Sequence, residues 1–492
     1  MDERGYVAKL SSKTEESPSA KEIKGTSRFL PMAMATALFM DLLDTSALGA
    51  ALPTLARQFH ASPLQLKLAL TSYLMTMAVF VPASGWLADR YGPRRVFINA
   101  VKIYLLGSLC CGLSDSVSTL VAARVLQGIG GAMMTPVARL IVVATTPRSK
   151  LIHAMNAFTM PAVIGPLLGP VLAGFLLEVA NWRWIFFINL PVGLLGIFAV
   201  LRIVPRLRHD HPGKFDWVGF AMAAFTIMAV VGLSETVGTG LLSTRAQMML
   251  AGCALAGGIV FVRHALKTPT PMLDLRMFSK TTYRASMIGG SLMRTSVSAT
   301  PFLLPLLFQT GLGWTPVRAG LVMTAIMAGA IVARFGGTLA IRAIGFRRAL
   351  LLTGCLTAIT TMMPAAFRES TAAAFIVATL VAGGFFRAAH FVAANAIAFA
   401  DVEPGDVSKA STLSTVVQQI SLGFGISLAG FTLYLSAGDS ARLTVGDFTL
   451  SFIALGVVTL LSIPVYLALN PNAGSNMRGG GNSLSDAVDT DR

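Results

Sequence analysis

The stretch GWLADRYGPRR, residues 85–95, joins two long apolar runs by a short turn holding Asp89, Arg90, Gly92, Pro93, Arg94 and Arg95. A worn copy, TLAIRAIGFRR, stands at 338–348, again between two apolar runs and 253 residues further on. A second pair, GPVLAGF at 169–175 and GISLAGF at 425–431, repeats at an offset of 256. A third, Arg124-Val-Leu-Gln127 and Arg387-Ala-Ala-His390, repeats at 263. Three similar offsets describe a duplicated chain, and the runs around each copy say what was duplicated.

Of the 492 residues, 54% are hydrophobic and only 13% charged, and the mean hydropathy is +0.68. These values fit a membrane protein. A bilayer core needs roughly 20 apolar residues per helix. Such runs occur at 30–53, 67–88, 96–114, 119–145, 153–177, 184–204, 216–235, 246–266, 285–310, 316–341, 349–367, 372–400, 410–435 and 447–468. They are too long and too uniformly apolar for barrel strands. The expected fold class is therefore an all-α integral membrane protein with 14 transmembrane helices. The repeats arrange them as two pseudo-symmetric six-helix halves, residues 29–208 and 271–470, with two inserted helices in 209–270.

Lys and Arg crowd the termini and every second loop by nearly four to one over the alternate loops, Lys67 being counted among the latter. The positive-inside rule then places both termini in the cytoplasm. The formal charge of +16 is explained as a topology signal, with no nucleic-acid partner required. Trp86, Trp182, Trp184, Trp217 and Trp314 fall near the expected membrane–water boundaries. Residues 1–28 and 471–492 are polar and read as disordered cytoplasmic ends. Cys110, Cys111, Cys253 and Cys355 have no ligand spacing, and His209-Asp210-His211 reads as a solvated loop, so no metal site is expected.

Charges inside the membrane are costly and normally face a partner or a wet cavity. Asp41 and Asp44 are the two acids well inside a span; at i and i+3 they share a helix face. Lys102 can snorkel to a helix end, and Arg139 can reach the rim or plug the bundle. Arg124, Arg294, Arg334 and Arg387 lie deeper. By the repeat, helices one, four, nine and twelve are equivalent members of the two halves and carry Asp41 and Asp44, Arg124, Arg294 and Arg387, for which a cavity lined by charged residues is the simplest explanation. Its proposed members are Gln127, Arg294, Arg334, Arg387 and His390, with Asp44, Asp41 and Arg124 as the proton-coupling group. Phosphate-cradling GxxxxGK[ST] loops, HExxH pairs and nucleophile elbows are absent from the sequence. The chain thus reads as no enzyme, with no cofactor and an ion gradient as energy source.

The ordered motifs match a known family. LDTSALGAALP at 43–53, GWLADRYGPRR, ARVLQGIGG at 123–131, GPLLGPVLAG at 165–174 and NWRWIFFINLPVG at 181–193 resemble the fourteen-helix drug:proton antiporters of the major facilitator superfamily. PMLDLRMF, LLPLLFQTGLGWTPVRAGL and ASTLSTVVQQISLGFG extend the resemblance through the second half. The resemblance implies a proton-coupled exporter of small molecules or drugs in the cytoplasmic (inner) membrane, associated with multidrug efflux and antibiotic resistance. It implies that helices one, four, nine and twelve line a central cavity, that Asp44 is the motif acid, and that Gly49 replaces the usual Asn. It makes Gly85, Asp89, Arg90, Gly92, Arg94 and Arg95 a gating motif, with Asp89 latching to the start of helix thirteen. Gly165, Pro166, Gly169, Pro170 and Gly174 become the antiporter motif of helix five, with Ala173 where Gly is usual. Beside this stand two other readings: an exporter of anionic metabolites or metal-carboxylate chelates, suited by the basic arginines, and a membrane sensor without transport. Substrate, protons and lipid are the expected partners; the sequence leaves open a periplasmic adaptor and outer-membrane channel.

Overall fold

The computed structural model describes residues 29–147, 150–205, 214–236, 242–403, 406–438, 443–471 and 473, with side chains left aside at 151–152, 161–163 and 334–343. Residues 1–28, the tail from residue 474 onward and the His209–His211 loop lie outside the described residues.

Fourteen long helical elements follow one another: α1 (Leu30–Gln58), α2 (Pro63–Tyr91), α3 (Pro93–Gly112), α4 (Val117–Thr145), α5 (Pro161–Val179), α6 (Asn189–Ile203), α7 (Trp217–Thr236) and α8 (Thr244–Lys267). Then come α9 (Thr281–Ser298, resumed over Thr300–Leu306), α10 (Pro316–Ile344), α11 (Phe346–Met362), α12 (Ala373–Ala398), α13 (Val407–Ala437) and α14 (Phe448–Leu460, resumed over Ser462–Leu467). Among the described residues there are no strands, and thirteen spans are long and apolar enough to cross a bilayer. The exception is α9: it is divided at Ala299, ahead of Pro301, and its first part carries Arg284, Arg294 and several Ser and Thr. Its polar residues are accommodated because most of them are buried inside the bundle.

Local signals set the helix starts. Ser62 and Ser116 each close a capping box, with Gln65 and Thr119 respectively, and so begin α2 and α4. The turn at 85–95 shows why its copy survived. Gly92 adopts φ 86° and Gly345, 253 residues on, φ 85°; each opens the next helix in a region L side chains avoid. Arg94 Nη2 then donates to the Leu201 carbonyl at the end of α6 (2.6 Å), and Arg347 Nη2 to the Leu467 carbonyl at the end of α14 (2.8 Å). A cation on the last free carbonyls of a helix satisfies both hydrogen bonding and the helix dipole.

The second repeat is a packing device. A Cβ on Gly169 would fall 1.9 Å from Ser46 Oγ of α1, and one on Gly425 would fall 1.9 Å from the Thr295 carbonyl of α9. These glycines therefore let α5 and α13 press against the first helix of their own halves. Five residues on, Gly174 faces Pro316 and Val317 of α10 while Gly430 faces Lys67 of α2, so the same two helices also form the seams between halves. Gly49, standing where the resemblance expected Asn, sits with its Cβ position 2.6 Å from the Pro301 carbonyl of α9; a larger residue would hold the halves apart.

The seams are one-sided. Calling the end that carries the chain termini the near end and the opposite one the far end, the cross-seam hydrogen bonds found among the described residues lie at the middle or beyond. Gln419 Nε2 meets Met77 Sδ midway (3.4 Å), and Gln309 Nε2 donates to the Ala50 carbonyl further out (2.9 Å). The Val317 N–H points to Glu178 Oε1 near the far surface (3.4 Å). Toward the near end, a Cβ on Gly85 of α2 would meet nothing within 4 Å.

The inserted helices dock on one side. Along α2, α7 makes edge contacts Trp86–Trp217 (5.8 Å) and Phe80–Phe220 (5.8 Å). At its start Asp216 accepts from the Gly219 N–H (2.8 Å) and the Met272 N–H (3.3 Å), with His264 Nε2 of α8 at 2.9 Å. Burial pushes the Asp216 carboxyl up, but these donors outweigh it and hold it below the usual carboxylate range. One sequence expectation is corrected here and one alternative is decided. Lys67 belongs to no loop: it is a buried residue of α2, 3.3 Å from a Glu235 that is itself buried near the end of α7. Arg139 is exposed and does not plug the bundle.

Candidate functional site

Asp44 lies midway along α1 with its side chain 0% exposed, and its carboxylate is fully engaged inside the first half. One oxygen pairs with Arg124 Nη1 of α4. The other accepts from Asn189 Nδ2 of α6 (3.0 Å) and Gln127 Nε2 of α4 (3.2 Å). Arg124, also fully buried, keeps neutral partners as well: the Ala69 carbonyl (2.9 Å), Gln127 Oε1 (2.6 Å) and the face of Tyr73 at 4.3 Å. The Tyr73 hydroxyl donates to Asp41, one helical turn before Asp44, so both carboxylates and Arg124 form one connected cluster. Ser108 supports Asn189 from α3 (3.0 Å).

The guanidinium has more partners than the carboxylate can supply, and this matters chemically. Burying either charge alone would be prohibitive, whereas the pair with its amides is tolerable. A proton arriving at Asp44 can take the place of the guanidinium, and Arg124 would still hold three neutral contacts.

A separate cavity of about 660 Å³ lies between the halves. Met293, Met323, Ile326, Phe391 and Leu422 give it apolar walls, and Ser46, Pro166 and Pro170 contribute from the first half. Among the described residues, two cations face it. Arg294 of α9, 4% exposed, donates to Asn395 Oδ1 (2.8 Å) and lies 5.3 Å from the Phe391 ring centre. Arg387 of α12, 9% exposed, donates to Thr300 Oγ1 (2.9 Å). Among the described residues, Arg294 Nε and Nη1 and Arg387 Nε are buried without a hydrogen-bond partner and no acid lines the cavity.

Sequence reasoning and geometry part company at several positions. Asp41, Asp44, Arg124 and Gln127 do not line this cavity; they are drawn into the first half, where Arg124 and the amides satisfy Asp44 and the Tyr73 hydroxyl donates to Asp41. The two arginines of the third repeat are not equivalent in depth: α4 and α12 begin 256 residues apart, so an offset of 263 sets Arg387 seven residues, about 10.5 Å, further along its helix. His390 is fully buried on the other face of α12, bonded to Thr353 Oγ1 (3.0 Å) and the Tyr466 hydroxyl (3.0 Å), and is no cavity residue. The side chain of Arg334 lies outside the described residues.

The helix-five motif divides its work: Gly165 and Gly169 pack on α1, Pro166 and Pro170 line the cavity, and Gly174 meets α10. In the turn at 85–95, Arg90 and Arg95 are exposed. Asp89 has no hydrogen bond or ion pair among the described residues, so the expected latch to α13 is not made in this state. Tyr73, Asn189, Thr300 and Asn395 were not anticipated. A signal existed for Asn189, a lone amide at the start of an apolar run, but nothing local pointed to its partner.

The sequence profile of the Major Facilitator Superfamily matches residues 34–276 and 286–483. Proteins named MdtD, whose names give them a provisional role in multidrug resistance, are similar along nearly their whole length. The one from Cronobacter sakazakii is 33% identical over 448 residues, covering 90% of this chain and 95% of its own. That from Yersinia enterocolitica is 34% identical over 451 residues, with the same coverage, and that from Salmonella paratyphi B 32% over 467, covering 93% and 98%. Among solved structures, a bacterial homologue of the lysosomal transporter Spinster, inward-facing and unoccupied, aligns with a TM-score of 0.64 at 16% identity, covering 94% of this chain and 100% of its own. A POT family transporter in complex with a thioalcohol-conjugated peptide aligns at 0.68 and 14% identity, covering 90% and 96%. A multi-pass helical bundle in two halves, a cavity between them and matches over nine-tenths of the chain together make this protein a transporter of the Major Facilitator Superfamily, not an enzyme.

Proposed function

We propose that the protein is a proton-coupled antiporter that exports small molecules across the cytoplasmic membrane by alternating access, with both termini in the cytoplasm. The buried cluster of Asp44, Arg124, Gln127 and Asn189 carries this reading. It is a carboxylate with one exchangeable cationic partner, placed on the first helix of one half. With the termini inside, the far end is external and closed, and Asp44 is paired with Arg124. Substrate then enters the cavity from the near end. After the halves rock, a proton from outside takes Asp44 from Arg124, and its release on the return completes the exchange. The MdtD names, with their role in multidrug resistance, agree with a drug-like cargo. The test is export across an imposed pH gradient in proteoliposomes, where Asp44→Asn should abolish gradient-driven movement while the protein remains folded; undiminished export removes Asp44 from the coupling role.

A second reading of the cargo is favoured by the two unmatched guanidiniums in an acid-free cavity. Arg294 and Arg387 suit an anionic substrate better than a lipophilic cation. Comparing uptake of an anionic and a cationic substrate into inverted vesicles, with Arg387→Ala affecting the former alone, separates the two.

A further inference from the structure

We propose that Lys67 and Glu235, covered by Ser427 and Gly430, are the contact that closes the far mouth of the passage, and that supplying this carboxylate is the work of inserted helix α7. The inference rests on the alternating-access reading above. Its basis is an ion pair with burial that neither partner needs for its own half. Lys67 is 1% and Glu235 5% exposed, with Nζ and Oε2 3.3 Å apart. Lysine is almost never buried this deeply without a partner. Here the partner comes from outside both six-helix halves.

The two charges travel together. The aromatic contacts Trp86–Trp217 and Phe80–Phe220 hold α7 along α2, so Glu235 moves with Lys67 as part of one body. The cover belongs to the other half. Ser427 of α13 donates its hydroxyl to Glu235 Oε1, and Gly430, three residues on and on the same helix face, lies so close that a Cβ there would stand 2.9 Å from Lys67 Nζ. When α13 swings away from α2, Ser427 and Gly430 leave and water reaches both charges; when it returns, both must be desolvated again.

The energetics give this arrangement a signature that a simple staple lacks. A buried pair replaced by apolar groups is often neutral or stabilising, whereas removal of one member leaves an uncompensated buried charge. Single neutral substitutions should therefore open the far mouth, and the double substitution should shut it. Glu235 and Lys67 are positioning residues in this sense: they touch no substrate and set the balance between the two orientations.

The test uses the full chain in proteoliposomes, with Cys110, Cys111, Cys253 and Cys355 replaced by alanine and a reporter cysteine introduced as Ala50→Cys, at the α1–α9 seam. A membrane-impermeant maleimide is applied from the far side and its reaction rate measured without substrate. Glu235→Gln and Lys67→Met should each label at least tenfold faster than the parent, and the Lys67→Met/Glu235→Gln pair at the parental rate or slower. Ser427→Ala, which removes one oxygen and no charge, should label several-fold faster and keeps the test usable if a charge variant fails to reach the membrane. Single variants at the parental rate, a double variant as fast as the singles, or an unaltered Ser427→Ala each overturn the proposal. A parent that never labels overturns alternating access itself, and the two failures are thereby distinguished.

Discussion

Replacing Asp44 or Arg124 singly and then together is the perturbation that bears most directly on the proposed coupling. Both side chains are 0% exposed, so water does not soften the loss of either. Removing one member of a buried pair costs about 3–5 kcal/mol. For Asp44→Asn the low end applies, about 3 kcal/mol, because Arg124 keeps the Ala69 carbonyl at 2.9 Å, Gln127 Oε1 at 2.6 Å and the Tyr73 ring. Arg124→Leu leaves a carboxylate with only the two amide donors, Gln127 at 3.2 Å and Asn189 at 3.0 Å, and should fall nearer about 5 kcal/mol. The double variant Asp44→Asn/Arg124→Leu buries neither charge and should lie within about 2 kcal/mol of the parent, well short of the sum. Reversible unfolding in mixed micelles, followed by circular dichroism, gives the cycle. Each 1.4 kcal/mol is a tenfold change in the equilibrium, so about 3 kcal/mol is on the order of a hundredfold. Simple additivity of the two single changes would refute the reasoning: Asp44 and Arg124 would then not be an energetic unit, and exchange of guanidinium for proton would lose its physical basis.

Other outcomes follow from the same geometry. Gly49→Ala should weaken closure of the far seam, because its methyl would lie 2.6 Å from the Pro301 carbonyl, whereas Gly85→Ala meets no atom within 4 Å and should leave both stability and labelling of the seam unchanged. Arg387→Ala should weaken binding of an anionic substrate by about tenfold to a hundredfold, the worth of a charged hydrogen bond, measured by competition in proteoliposomes. His390→Phe should leave that affinity intact while costing about 1–3 kcal/mol of stability, since the Tyr466 and Thr353 hydroxyls lose a buried partner. Because the folded state holds Asp216 below its ordinary range, its contribution is present above the unfolded value of 3.8 and is lost as pH falls through the lower, folded one. Hydrogen exchange at the start of α7 should therefore accelerate on acidification below about pH 4, and a His264→Ala variant should show the change at a higher pH than the parent.

What the sequence determined by itself is what depends on short stretches of chain. Twenty apolar residues in a row demand a membrane helix whatever surrounds them, and so the spans were legible to within a few residues: 119–145 against Val117–Thr145, and 372–400 against Ala373–Ala398. The duplication was legible too, because Gly92 and Gly345 must be glycine to take the same positive φ. Pairing of charges was another matter. Lys67 read as a loop residue and Glu235 as a helix end, yet the two meet 3.3 Å apart inside the bundle. His390 matched Gln127 in the repeat, yet one bonds to Thr353 and Tyr466 and the other joins Arg124 and Asp44. Asp41 and Asp44 were expected at the cavity and turn instead into their own half. Hydropathy and loop charge fix where a helix crosses; they say little about its rotation around its own axis or its depth against a neighbour. Those are decided by packing, where a glycine such as Gly169 or Gly430 lets one backbone approach another, and a rotation of one residue, about 100°, changes which partner a buried charge finds.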